Sequence, residues 1–175
     1  MKSQVLFLCS FLFVLLGCNN DDDNTPEINK LPPATQTGAG TFGCLVNGEA
    51  FVETGTYFNC FYQLIDGEYY FSISAENDDM EPCNIYLGSI ALELNEDNTY
   101  LLTSVSEGNA GAGIFFCNEL EDYETNSEYS GELTITKFDF ENHIVSGTFN
   151  FNVLNTQTNK LYVITNGRFD TLFTQ

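Results

Sequence analysis

Histidine is nearly absent from this chain, with His143 the only one. A hydrolytic triad needs a base that titrates near neutrality. His143 stands in FENHIVSG beside Glu141, where it reads as an exposed residue at a turn or strand start. A lone histidine also excludes a multi-histidine metal centre. Basic residues are scarce too, 5 against 25 acidic, for a formal net charge of −20 at pH 7. Such a surface repels nucleic acid and anionic membrane, so nucleic acid is not an expected partner. Proline does not occur after Pro82, and no long stretch keeps a helical period. No close C-x₂₋₄-C pair of the structural-zinc kind is present, and no repeat recurs at a fixed period. The glycines of EGNAGAG (Gly108, Gly111, Gly113) precede no helical pattern, which excludes a dinucleotide fingerprint.

What is present begins with an address. Lys2 precedes an apolar run from Val5 to Leu16, too short for a transmembrane span and shaped like a secretory signal. Leu15-Leu16-Gly17-Cys18 then has the form of a bacterial lipobox. Cleavage before Cys18 leaves a thiol that carries a diacylglyceryl group and an amine that carries a further acyl chain. Several chains make a stable anchor where one binds only marginally. The expected division is a signal peptide over 1–17, the lipidated Cys18 with a flexible linker over 18–40, and one domain over 41–175. Asn19 follows the cysteine in place of an inner-membrane retention aspartate, and Asp21, Asp22 and Asp23 form an acidic run. This points to an outer-membrane lipoprotein whose membrane partner is reached through acylated Cys18; the acidic run resembles a surface-export signal, with a solvated tether on the periplasmic side as the alternative.

Four cysteines remain for the domain: Cys44, Cys60, Cys83 and Cys117. In an exported protein an even number implies disulfides. Three pairings are open. The nearest-neighbour one, Cys44–Cys60 with Cys83–Cys117, is preferred.

The domain reads as β throughout. Asn47-Gly48 and Asp66-Gly67 sit between apolar arms, the strongest short hairpin signal, because both residues tolerate positive φ. Alternation places Phe58, Cys60, Tyr62 and Leu64 on one face, as it does Cys83, Ile85 and Leu87, and also Phe149, Phe151 and Val153. Leu161, Val163 and Thr165 are expected inward on the returning strand. Leu133, Ile135 and Phe138 change parity near Lys137, as at a bulge. EDYETNSEYS reads as a long loop or irregular edge. The expected fold is an all-β, antiparallel sandwich of about nine or ten strands, with a small closed barrel as the alternative.

Three segments carry a family resemblance: NTPEINKLPPATQTGAGTFGCLVNGEAFV, YSGELTITKFDFENHIVSGTFNF and ITNGRFD. They resemble a family of Bacteroidetes lipoproteins, domain of unknown function 6252, over residues 26–171. The resemblance implies an exported, lipid-anchored, all-β domain, and no catalytic residues, substrate or cofactor.

The remaining candidates for chemistry are few. Glu76-Asn77-Asp78-Asp79 with Glu81 is an oxygen-rich loop, and Asp78, Asp79 and Glu81 are its calcium candidates, without EF-hand spacing. Glu119, Glu121 and Asp122 form a charged cluster that a solvated loop explains equally well. Phe58, Tyr62, Tyr70, Tyr86 and Tyr129 are candidates for stacking on a glycan, although aromatic residues also favour strands and cores. Among 25 acidic residues no pair is singled out for glycoside hydrolysis. The expectation is a non-catalytic, lipid-anchored envelope protein that binds or builds. The alternative is a hydrolase or glycan-binding protein acting on an exported polymer. No cofactor is expected.

Overall fold

Asn47 and Gly48 both take positive φ, 51° and 91°, and fold Thr41–Val46 (β1) back on Glu49–Val52 (β2). Asp66 and Gly67, at 51° and 88°, do the same for Asn59–Ile65 (β3) and Glu68–Glu76 (β4). Mirror-image turns of this kind match the twist of the strands they join. The computed structural model describes residues 25–55 and 58–175. The expected signal peptide, Cys18 and the Asp21–Asp23 run lie outside the described residues.

The remaining strands are Asn84–Ile90 (β5), Thr99–Leu102 (β6), Asn109–Phe116 (β7), Glu121–Glu124 (β8), Gly131–Asp139 (β9), Ile144–Asn155 (β10) and Lys160–Leu172 (β11). They form one sheet in the order β2-β1-β11-β10-β9-β6-β7-β5-β4-β3, with β8 paired to β7. Every pairing is antiparallel except the short β6–β7 contact at Leu102 and Ala110. The sheet curls into a half-barrel. Its β3 edge meets the chain just beyond β11, where the Tyr62 amide donates to the Thr174 carbonyl at 2.8 Å and the Thr174 amide to the Cys60 carbonyl at 3.0 Å. The all-β class is as expected, with eleven strands rather than nine or ten. One of the additional strands is β8, inside the polar stretch expected to be a loop, where Ile114 and Tyr123 lie opposite each other.

The inward faces close over a single core rich in phenylalanine, with Phe42, Phe51, Phe71 and Phe151 fully buried beside Ile73, Ile85 and Leu87. Phe149, Phe151 and Val153 point inward as their alternation required. The parity change on β9 is a register shift opposite Ser146–Gly147. Two expectations are corrected. Leu161 and Val163 are exposed and Thr165 is half-buried, while Tyr162 and Ile164 fill the core, because register sets them opposite the buried Val153 and Phe151 of β10. Leu64 is 59% exposed, since β3 runs past the core at its turn end.

Residues 26–39 correct the linker expectation as well. After a single helical turn over Glu27–Lys30 (α1), the chain runs along the outside of the sheet and is bonded to it. The Ala50 amide donates to Glu27 Oε2 at 2.9 Å, Leu31 is buried, and Gln36 Nε2 donates to the Thr136 carbonyl at 2.9 Å.

Candidate functional site

The docked segment is held chiefly by one carboxylate. Asp170 lies on the outward side of β11 yet is only 1% exposed, because residues 35–39 cover it. It accepts hydrogen bonds from Thr35 Oγ1 at 2.6 Å, from the Thr37, Gly38 and Ala39 amides at 2.7–3.2 Å, and from Ser146 Oγ at 2.8 Å. Gly38 has φ +74°, which turns successive amides toward one point. Burial by itself would raise the carboxyl's pKa. The donors from Thr35, Thr37, Gly38 and Ser146 outweigh it and hold Asp170 well below the usual carboxylate range.

Beside this clasp the outward faces of β9, β10 and β11 leave a depression of about 310 Å³, walled by Ala34 of the docked segment. Cross-strand register builds its floor. Thr134, Thr148 and Arg168 form one row, and Glu132 and Asn150 the next. Between the Phe149–Gly167 and Phe151–Ile164 pairs, β11 supplies two residues against the single Asn150. This bulge is closed by Asn166 at φ 53°, a left-handed conformation that asparagine tolerates. Gly167 faces inward, where an added Cβ would run into the Phe149 ring. Asn166 and Arg168 thereby both point out toward the depression.

The polar groups there are largely unspent within the protein. Among the described residues, no hydrogen bond engages the side chains of Glu132, Thr148, Asn150 or Asn166, while Thr134 Oγ1 meets Thr99 Oγ1 at 2.8 Å. Arg168 donates once through Nε, to the Asn166 carbonyl at 3.3 Å. The two ion pairs among the described residues, Lys30–Glu27 and Lys137–Glu96, do not include it. Among the described residues the Arg168 guanidinium therefore has no carboxylate partner, and its planar fork is of the kind that pairs with carboxylate or phosphate oxygens.

A second, aromatic groove lies at the turn end of β3 and β4. Two adjoining hollows of about 330 and 360 Å³ share Tyr62, Tyr69 and Phe140. Tyr62 stacks on Tyr69 with centroids 4.8 Å apart, and its hydroxyl accepts the Leu94 amide at 3.1 Å. The five expected stacking residues do not assemble into one platform. Tyr62 is buried, Phe58 packs edge-on to Phe42, and the Tyr86 hydroxyl is bound to Glu124 and Asp122. Tyr70 and Tyr129 are half-buried elsewhere.

The other candidates are dispersed. Among the described residues no three acidic, histidine or cysteine side chains gather to hold a metal ion, so Asp78, Asp79 and Glu81 do not converge. Their loop is organised by Asn77, which donates to the Val52 carbonyl and accepts the Asp79 amide, while Glu81 accepts from Asn118. Nearby, burial together with the charges of Glu76 and Asp78 pushes the Glu53 carboxyl up. His143 lies exposed at φ 58°, its ring edge-on to Phe173.

Cys83 and Cys117 form a disulfide with Cα atoms 5.9 Å apart. The other preferred pair is corrected: Cys44 and Cys60 are free, buried thiols. They lie on β1 and β3, strands that do not pair, and each fills a core position. Burial pushes both thiols far above their ordinary range.

Arg168, Asn166, Thr148, Asn150, Glu132 and Asp170 are not among the residues expected from the sequence. A signal was available, since Arg168 is one of five basic residues and sits inside a strand. The segments quoted above for their resemblance meet at this place: Ala34 to Ala39, Glu132 to Thr136, Ser146 to Asn150, and Asn166 to Asp170. Comparison with family models, with curated proteins and with solved structures gave no match.

Proposed function

We propose that this chain is a non-catalytic, lipid-anchored protein of the outer membrane, related to the Bacteroidetes lipoproteins it resembles, whose β domain is a binding module. Lipidation is supported by the apolar run ending in Leu15-Leu16-Gly17-Cys18 and the polar residues after it. The binding role is carried by one observation: the cluster of unpaired polar side chains around Arg168 in a concave site. Glu132, Thr148, Asn150 and Asn166 are exposed, so a ligand's polar groups can replace the water that they bind. Glu96, a carboxylate on the aromatic groove, is held below its usual range by the Phe138 amide and Lys137, so it is a fixed anion rather than a proton donor.

Two measurements test this reading. Cys18→Ser abolishes acyl labelling and membrane retention; unchanged labelling sinks the anchor. The full chain in detergent, screened against sugars, peptides and calcium with turnover followed in parallel, gives saturable binding without turnover. Turnover lost on replacing one carboxylate overturns it in favour of a hydrolase.

The exposed Phe140 ring beside Tyr69 favours a second reading, in which the aromatic groove stacks on a glycan. Phe140→Ala then removes binding and Arg168→Gln leaves it intact.

A further inference from the structure

We infer that the depression on β9, β10 and β11 receives a small sugar acid: Arg168 takes its single carboxylate, and Thr148, Asn150, Asn166 and Glu132 take its hydroxyls. This rests on reading the depression as the ligand site.

The guanidinium comes first. Arg168 is half-buried against the sheet, spends one donor on the Asn166 carbonyl, and has no ion pair among the described residues. Its remaining donors form a planar fork whose natural complement is a carboxylate or a phosphate. Glu132, on the same floor, does not fill that role. It stands two strands away and in the next row, so the strand spacing alone separates the two by about 10 Å laterally. The gap is bridged by Thr148 and Asn150, a hydroxyl and an amide, which donate and accept.

The charge balance selects the ligand's size. A net charge of −20 repels polyanions as a whole. At physiological salt the Debye length is about 8 Å, so distant acids are screened while a direct contact with Arg168 is not. One carboxylate on a small ligand therefore binds where an anionic polymer or a bis-anionic phosphate is disfavoured. Glu132 disfavours a second negative charge and accepts a hydroxyl.

The depression, at about 310 Å³, is at the low end of the range of roughly 300–1,000 Å³ for ligand pockets. A pyranose ring bearing one carboxylate spans it. The carboxylate lies at Arg168, ring hydroxyls lie over Thr148 and Asn150, and one faces Glu132. Phe149, the aromatic residue in the lining, is 3% exposed and belongs to the core, so recognition there is by hydrogen bonds and charge.

The test uses the full chain in detergent micelles, titrated with D-glucuronate, D-glucose and acetate, and followed by calorimetry and by the NMR signal of the Arg168 Nε–H. Glucuronate is expected to bind at least ten-fold more tightly than glucose, which lacks the carboxylate, or acetate, which lacks the ring. Arg168→Gln, with its fold checked by circular dichroism, lowers glucuronate affinity roughly ten- to hundred-fold, and Arg168→Lys by an intermediate factor. Asn150→Ala weakens glucuronate and leaves acetate unchanged. Equal affinity for glucuronate and glucose overturns the inference, as does glucuronate binding that survives Arg168→Gln. No response to glucuronate overturns it as well. The broader binding reading falls only if the wide ligand screen is silent too.

Discussion

Both carboxylate oxygens of Asp170 lie within hydrogen-bond reach of the Thr37 amide, at 3.0 and 2.9 Å, so a strand near the C-terminus holds the segment that leads into the domain. The same segment supplies Ala34 to the wall of the depression beside Arg168. Holding the segment and shaping the site are therefore coupled.

Asp170→Asn keeps the size of the side chain and removes its charge. The donors from Thr35, Thr37, Gly38 and Ser146 then meet a weaker acceptor and an amide that itself donates. Hydrogen bonds to a charged group contribute about 1.5–3 kcal/mol each and do not add fully, so a loss of about 2–4 kcal/mol is expected in urea unfolding. A change smaller than about 0.5 kcal/mol would show that the clasp contributes no stability.

Acid should reveal the same group. The folded-state pKa of Asp170 is depressed, so the unfolded chain takes up the proton first. Its contribution is fully present above the unfolded value, about 3.9, and is lost as pH falls below that toward the folded value. The stability gap between the wild-type protein and Asp170→Asn should be flat from pH 7 to about pH 5 and narrow below pH 4. Because both proteins share the other acidic groups, a gap that stays constant down to pH 2 would remove Asp170 as the cause.

Gly43 lies under Pro32 of the docked segment, and an added Cβ would come within 2.6 Å of Pro32 Cδ. Gly43→Val should lift the segment off the sheet. Limited proteolysis should then cut within residues 31–40 at least ten-fold faster, with an overpacking cost of about 1–3 kcal/mol. Resistance equal to wild type would mean that the segment adjusts without leaving.

The four cysteines of the domain should divide two and two. Alkylation in denaturant without reductant should label Cys44 and Cys60, and Cys83 and Cys117 only after reduction. In the folded protein Cys44 and Cys60 should not react, since each thiol is buried. Replacing Cys83 and Cys117 by alanine opens a cross-link across 34 positions and should lower stability by about 2–4 kcal/mol. Labelling of all four without reductant would refute the bond.

Much of the fold is legible in the residues themselves. The Asn47-Gly48 and Asp66-Gly67 hairpins follow from positive φ at two adjacent positions. The inward faces of β5 and β10 follow from alternation, because strand neighbours point to opposite sides of the sheet. The parity of Leu133, Ile135 and Phe138 marks the bulge on β9. In Leu161-Tyr162-Val163-Ile164 both parities are apolar, so alternation alone leaves the inward face open, and the pairing of Tyr162 with Val153 and Ile164 with Phe151 decides it against Leu161 and Val163.

The candidate site is of the other kind. LPPATQTGAG has the composition of a linker, and its composition alone specifies one. Its order comes from Asp170, 135 positions beyond Thr35, once the curled sheet brings the two together. Arg168 likewise comes to stand among Thr148, Asn150 and Glu132, without an ion pair among the described residues, only when β9 and β10 lie beside it. Local periodicity sets which way a side chain points. Which unpaired groups share a hollow depends on strand order and register, and those are decided when the sheet closes.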